Sequence, residues 1–389
     1  MEKKVKLLLM HNAIPEYRIP WFRYLNQHCD VDFVFTNYQI TKKLYHFDTD
    51  YNKLEGMNYV ILGKDHLFLC DVFQLLKTIE NYDFVEFPPV DSPKEFFVSS
   101  LTLLLCKMRG IKTGYFWEKW EAPKNKQPIK RKIVNFITNV IPGIIYHRVD
   151  LIFAGSTSSK KYFEQHGVKS DKISVIPDAS ETPMCTYENL RDKYSIPEGK
   201  KVILFFGRLL VQKGLHYLIQ AVGNLENKDE YFLVIAGDGE NREYCERLIK
   251  ELKIKNVAMC GWVNPDYRLN FFSQCDIFVF PGTFYEGRVD VWGLTLVEAI
   301  QNKKIVISTN AVGSAIDLIK NGTNGFILDA TNEYSLAESI ADAISKCDDK
   351  LQQSTIAYDE FLSQKYCFSN MGKTYLDLIE KELGFSKEE

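Results

Sequence analysis

The pattern that most limits the fold of this chain is an alternation of short apolar runs with helix-like segments, and it runs twice. The first series holds VKLLLMH (Val5 to His11), VDFVFT (Val31 to Thr36), FVEFP (Phe84 to Pro88), TGYFWE (Thr113 to Glu118), LIFAGS (Leu151 to Ser156) and ISVIP (Ile173 to Pro177). Segments such as 19–27 and 158–166 lie between them with helical spacing. Strands separated by helices imply crossovers, and crossovers imply a parallel sheet. The pattern stops over residues 177–199, a polar stretch with prolines at 177, 183 and 197 that predicts a linker bearing one helix. It resumes with VILFFG (Val202 to Gly207), FLVIAG (Phe232 to Gly237), VAMCG (Val257 to Gly261), IFVFP (Ile277 to Pro281), IVIST (Ile305 to Thr309) and GFIL (Gly325 to Leu328). An amphipathic helix is predicted over 366–383.

The chain therefore reads as α/β, with two Rossmann-like halves of similar size. Its 389 residues are too many for one ordinary core and suit two domains. A formal net charge of -3 gives no sign of a nucleic-acid partner. The nine cysteines are scattered without a CxxC pair, which suits core residues in a reducing cytosol. Residues 1–10 lack the apolar core of a signal peptide. No run approaches the roughly 18 apolar residues needed to cross a bilayer. These features predict a cytoplasmic protein.

Two stretches carry the chemistry. In FFGRLLVQKG (Phe205 to Gly214), Gly207 lets the backbone turn after a strand, Arg208 offers a rigid fork of donors, and Lys213 adds a point charge. In DVWGLTLVEA (Asp290 to Ala299), Gly293, Leu294 and Thr295 fall where a helix should begin. Free N–H groups and the helix dipole make such an end an anion site. Glu298 follows one turn later, where a carboxylate can accept from ribose hydroxyls. Asp290 precedes it by eight positions and is placed to face a sugar. Cations, amides and carboxylates in this arrangement suit a nucleotide diphosphate joined to a sugar.

With these residues the C-terminal half resembles the family-4 glycosyltransferases of the GT-B fold, the bacterial and archaeal polysaccharide-biosynthesis type. The resemblance is carried by G-R…K-G followed by E-x7-E in a WGL…EA context. It covers 202–328, with AGDGE (Ala236 to Glu240), and extends more weakly over 153–181. It implies two Rossmann-like domains with parallel sheets facing across a cleft: residues 1–180 with a returning helix over 368–389, and residues 181–367. It implies that Arg208 and Lys213 hold the diphosphate, Glu298 the ribose and Asp290 the donor sugar, with Gly237 and Val263 near the base. It further implies retention of configuration and a glycan or lipid-linked acceptor. Here Asp290 replaces the family's first Glu, and Glu286 in FYEGR is a rival for its role.

The N-terminal half departs further. The glycine-rich first loop is replaced by HNAIPEYRIPWF (His11 to Phe22), where Tyr17 and Arg18 either contact an acceptor or, for Arg18, cap local carbonyls. The family's histidine near the donor sugar is replaced by Glu118 in YFWEKWEAP. A glutamate between two tryptophans in a cleft is a candidate for a raised pKa and for polarising an acceptor hydroxyl. The segment from Lys124 to Arg148 starts basic and continues apolar, which suits docking on an anionic membrane. Asp48-Thr49-Asp50 matches a metal-binding DxD but lies in a polar loop and is set aside. With Arg208, Lys213 and a helix end to neutralise the leaving group, no metal or other cofactor is expected. Two other classes stay open: a sugar-nucleotide epimerase of the same fold, and a non-catalytic sugar-nucleotide-binding protein.

Overall fold

A computed structural model describes residues 4–36, 51–180 and 187–385. The DxD at 48–50 lies outside the described residues. The first half is a parallel sheet of β1 (Lys6–His11), β2 (Asp30–Phe35), β3 (Asn58–Ile61), β4 (Phe84–Phe87), β5 (Lys112–Trp117), β6 (Leu151–Ala154) and β7 (Ile173–Val175). Its strand order is β3-β2-β1-β4-β5-β6-β7. The second half holds β8 (Lys201–Phe206), β9 (Tyr231–Ala236), β10 (Val257–Gly261), β11 (Ile277–Phe280), β12 (Ile305–Thr309) and β13 (Gly325–Leu328), in the order β10-β9-β8-β11-β12-β13. All strand pairs among the described residues are parallel, as the crossover pattern predicts.

In each half the strand order reverses once, between β1 and β4 and between β8 and β11. Loops that leave neighbouring strands in opposite directions open a crevice at the strands' carboxyl ends, where ligands bind in such sheets. The central strands are mostly apolar because helices cover both faces: all four residues of β4, β6 and β11 are buried. Only β3 was not legible from the pattern. It is an edge strand with three exposed residues of four, too short and too wet to read as a buried run.

The helix Phe368–Glu382 returns to the first half and packs on the helix Ile19–His28, with the Trp21 and Tyr375 rings 5.4 Å apart and near perpendicular. Tyr375 Oη donates to Glu86 Oε2 at 2.7 Å. Glu86 sits inside the sheet, and burial pushes its carboxyl up to about 8. A group protonated in the fold but ionised in the unfolded chain loses stability as pH rises from its unfolded to its folded pKa. Here that window runs from 4.5 to about 8. Glu86→Gln keeps an acceptor for Tyr375 and removes the titration. Melting temperatures measured between pH 5 and 9 are therefore expected to fall less steeply in Glu86→Gln than in the wild type.

Candidate active site

The carboxyl ends of β8, β9 and β11 place the C-terminal part of the site. Gly207 follows β8, and its N–H donates to Ala236 O at 2.9 Å. Gly237 follows β9 at φ +141, and a Cβ there would stand 1.8 Å from Gly207 O. The two loops touch backbone to backbone, which only glycine allows. Gly214 plays the same part for the Lys213 loop: at φ +72, a Cβ would stand 1.8 Å from Pro281 O at the end of β11. Lys213 is thereby laid over the Phe280 ring, its ammonium 4.8 Å from the centroid, and it pairs with the Asp290 carboxylate. Arg208 is exposed on the same side. Gly293 opens the helix Leu294–Gln301, whose first-turn N–H groups have no partners earlier in the helix.

These parts surround one cavity of about 500 Å³ between the halves. Gly207, Arg208, Lys213, Gly237, Val263 and Asp290 line it, as do Gly293, Leu294 and Thr295. From the first half come Tyr17, Glu118 and Asp178. A smaller cavity of about 250 Å³ adjoins it, shares Tyr17, Glu118 and Val291, and reaches Asn12, Asp91 and Lys119. Glu286 lines neither; it is exposed at φ 50 beside Arg288.

Glu298 stands apart from the other predicted donor residues. It is buried, Arg268 Nη1 lies 2.8 Å from its Oε1, and Ser180 Oγ donates to the same oxygen at 3.1 Å. Arg268 lines the cavity and Glu298 does not. Burial raises the Glu298 carboxyl, and Arg268 opposes this. Its Oε2 has no hydrogen-bond partner among the described residues. Arg268 was not singled out from the sequence, because a lone arginine beginning a helix after a loop carries no motif.

Arg18 lines the smaller cavity and caps no carbonyl among the described residues. It is buried, with Nη1 2.8 Å from His11 Nε2 and Nη2 donating to Glu118 Oε1 at 2.5 Å and Asp178 Oδ2 at 2.9 Å. Its guanidinium lies 4.3 Å from the centre of the Phe116 ring. One nitrogen serving two carboxyl groups brings those groups side by side. A neighbouring negative charge disfavours ionisation of a carboxyl group, while the arginine between them favours it. Burial first, then Asp178, holds Glu118 well above the usual carboxylate range, with Arg18 opposing. Burial, then Arg18, holds His11 well below its ordinary value, so it is neutral. His11 and Asp178 escaped the sequence reading, yet both stand at or just past a strand's carboxyl end, which was the available signal. Trp292 Nε1 donates to Asp178 O at 2.8 Å, tying the WGL segment to the first half.

Solved structures share this two-sheet arrangement over nearly their whole length. HepE of Anabaena, solved in complex with UDP, superposes with a TM-score of 0.70 over 97% of this chain and 100% of its own, at 16% identity. The lipopolysaccharide outer core galactosyltransferase WaaB does so at 0.68 over 97% and 100%, also at 16%. The fold is GT-B. Within this GT-B chain, residues 186–359 match the family model of glycosyl transferases group 1. An uncharacterized glycosyltransferase of Methanocaldococcus jannaschii is 31% identical over 40% of this chain and 39% of its own length. A lipopolysaccharide 1,2-N-acetylglucosaminetransferase of Salmonella typhimurium is 26% identical over 55% and 58%. An α-1,4-N-acetyl-D-galactosaminyltransferase of Campylobacter jejuni, named for an acceptor on diphospho-undecaprenol, is 27% identical over 64% and 65%. The GT-B chain thus spans from two fifths to just under two thirds of the length of these curated relatives.

Proposed function

We propose that this protein is a retaining, family-4-type glycosyltransferase that moves a hexosyl or N-acetylhexosaminyl group from a nucleotide-diphosphate sugar to a glycan or lipid-linked acceptor in cell-surface polysaccharide biosynthesis. One observation carries it: Arg208, the Lys213–Asp290 pair and the helix end at Gly293–Thr295 converge on a single cavity between the two halves. Arg208, Lys213 and the N–H groups near Leu294 stabilise the departing diphosphate, as preorganised donors do where charge develops. The sugar–phosphate bond opens through an oxocarbenium-like state, with Asp290 orienting the sugar. Asp290 is assigned that role over Glu286 because it lines the cavity and Glu286 does not. Gly207, Gly237 and Val263 pack the nucleotide. Glu298 acts on the ribose through Arg268, or directly if Arg268 swings aside. Tyr17 and the cavity beyond Glu118 receive the acceptor, with Arg18 holding Glu118 in place.

No metal is assigned to the mechanism, because the two cations and the helix end already neutralise the leaving group. Glu118, its carboxyl raised by burial, offers a hydrogen bond to a sugar or acceptor oxygen when protonated. A cytoplasmic site of action is proposed, with the segment from Lys124 to Arg148 resting on the inner face of the membrane and no nucleic-acid partner. The relatives described above are transferases, which supports transfer over epimerisation or simple binding.

A thermal-shift panel of UDP-, GDP- and ADP-sugars tests the site, since a ligand that binds only the native state raises the melting temperature. At least one donor is expected to raise it in the wild type and to lose that effect in Arg208→Ala. A flat panel in both proteins would remove the site. Inversion at sugar C2 without acceptor would make the protein an epimerase.

A further inference from the structure

Helices of a water-soluble α/β domain turn polar residues outward. One face of the first half does so. The helix Ile19–His28 exposes Arg23, Gln27 and His28, and the helix Phe368–Glu382 exposes Asn370, Lys373 and Asp377. The opposite face does the reverse on three consecutive crossover helices.

The helix Phe68–Thr78 leaves Leu69 67% and Phe73 60% exposed. On Pro93–Arg109, Phe97, Leu104 and Met108 recur at helical spacing on the outer side, Met108 at 73%. On Ile129–Tyr146 the outward side chains include Ile129, Ile133, Phe136, Val140 and Ile144, with Phe136 at 71%. The three helices are neighbours: the middle one contacts both of the others. Their inner sides are satisfied by the sheet, where Val72, Val98, Cys106, Ile145 and Tyr146 are buried in one core. The outer residues are thus surplus to the fold.

The three helices themselves present only cations on this face, two of which are paired by acids from elsewhere in the chain. Lys77, Lys94, Lys107, Arg109, Lys130 and Lys132 are exposed on the three helices, while their two acids, Asp71 and Glu95, are buried. Asp150 and Glu80, which pair with Lys107 and Arg109, come from outside the helices. A second copy seated on the same patch would set cations against cations. No helix among the described residues is long and apolar enough to cross a membrane.

We propose that these three helices together form a docking face for an anionic lipid bilayer, the apolar side chains entering the interfacial region and the lysines and arginines meeting phosphate headgroups. This extends the contact proposed above from the segment 124–148 to a whole face of the domain, two thirds of whose helices lie outside that segment. It fixes the bilayer plane parallel to the outer helix layer, with the face bearing Ile19–His28 and Phe368–Glu382 turned to water.

Co-flotation of the full chain with phosphatidylcholine vesicles, with and without phosphatidylglycerol, tests this without using transferase activity. Binding is expected only with the anionic lipid and is expected to weaken with salt. The triple variant Phe73→Ser/Phe97→Ser/Met108→Ser leaves 124–148 intact. It is expected to lower partitioning at least about tenfold through lost apolar contact. Arg23→Ser/Lys373→Ser on the other face is expected to partition as the wild type. Vesicles should also slow amide exchange over 68–78 and 93–109 in the wild type, a readout that needs no variant. Unchanged partitioning of the triple variant, or exchange protection confined to 129–146, would overturn the three-helix face. A concentration-dependent dimer that fails to float would give the face to a second copy instead.

Discussion

Arg208→Ala is expected to lower kcat/KM by about a hundredfold to a thousandfold, through weakened donor binding as well as lower kcat, the scale for removing one preorganised donor from a developing anion. The fork of Arg208 is exposed to the cavity and pairs with no carboxylate among the described residues, so its positive charge is available to a diphosphate. Lys213 differs, because it already pairs with Asp290. Removing it both withdraws a cation and leaves an uncompensated carboxylate aimed at the incoming phosphates. Lys213→Ala is therefore expected to impair donor binding more than Arg208→Ala does. Asp290→Asn in the Lys213→Ala background should recover part of the loss, a coupling on the order of 1–3 kcal/mol for directly contacting groups. Steady-state kinetics of the four proteins of this cycle, with donor affinity measured by calorimetry, check it. Strict additivity would mean that Lys213 and Asp290 do not act as a unit when the donor is bound.

The ease of reading this chain followed from where its information is local. Strand–turn–helix units are written in consecutive residues, so all strands but the exposed edge strand β3 appeared as apolar runs. Arg208, Lys213, Asp290 and the helix end at Gly293 lie in two short stretches, and the fold brings those stretches together because β8 and β11 are adjacent. The acceptor side lacks that economy. Its centre is assembled from His11 at the end of β1, Arg18 in the next turn, Glu118 after β5 and Asp178 after β7, separated by up to 167 positions in sequence. No spacing rule links such residues. The burial of Arg18 between two acids follows from long-range packing alone. The position of Glu298 behind Arg268 is a similar case, because a helix start tells which turn a residue occupies and not which neighbour stands before it.

The cluster of His11, Arg18, Glu118 and Asp178 makes the second strong prediction, and its sign can be worked out from the charges present. Glu118 faces Arg18 and Asp178, and its carboxyl is raised by burial first and by Asp178 next, with Arg18 opposing. If protonated Glu118 donates a hydrogen bond during transfer, Glu118→Gln should retain activity within about tenfold of the wild type, while Glu118→Ala should lose on the order of a hundredfold or more. A base at the same place would lose both equally. Asp178→Asn removes the neighbouring negative charge, which lowers the pH at which Glu118 ionises. Activity that depends on the proton must then decline at a lower pH than in the wild type, so the alkaline limb of kcat/KM should move to lower pH. Arg18→Met leaves Asp178 and Glu118 together without their cation. It is expected to cost about 3–5 kcal/mol of stability, the scale for breaking a buried ion pair by deleting one partner. That loss should shrink in Arg18→Met/Asp178→Asn, because the second substitution removes the charge the first one stranded. Denaturant unfolding of the three proteins decides this, and equal destabilisation of the single and double variants would mean that Arg18 contributes through packing on Phe116 rather than through its carboxylates.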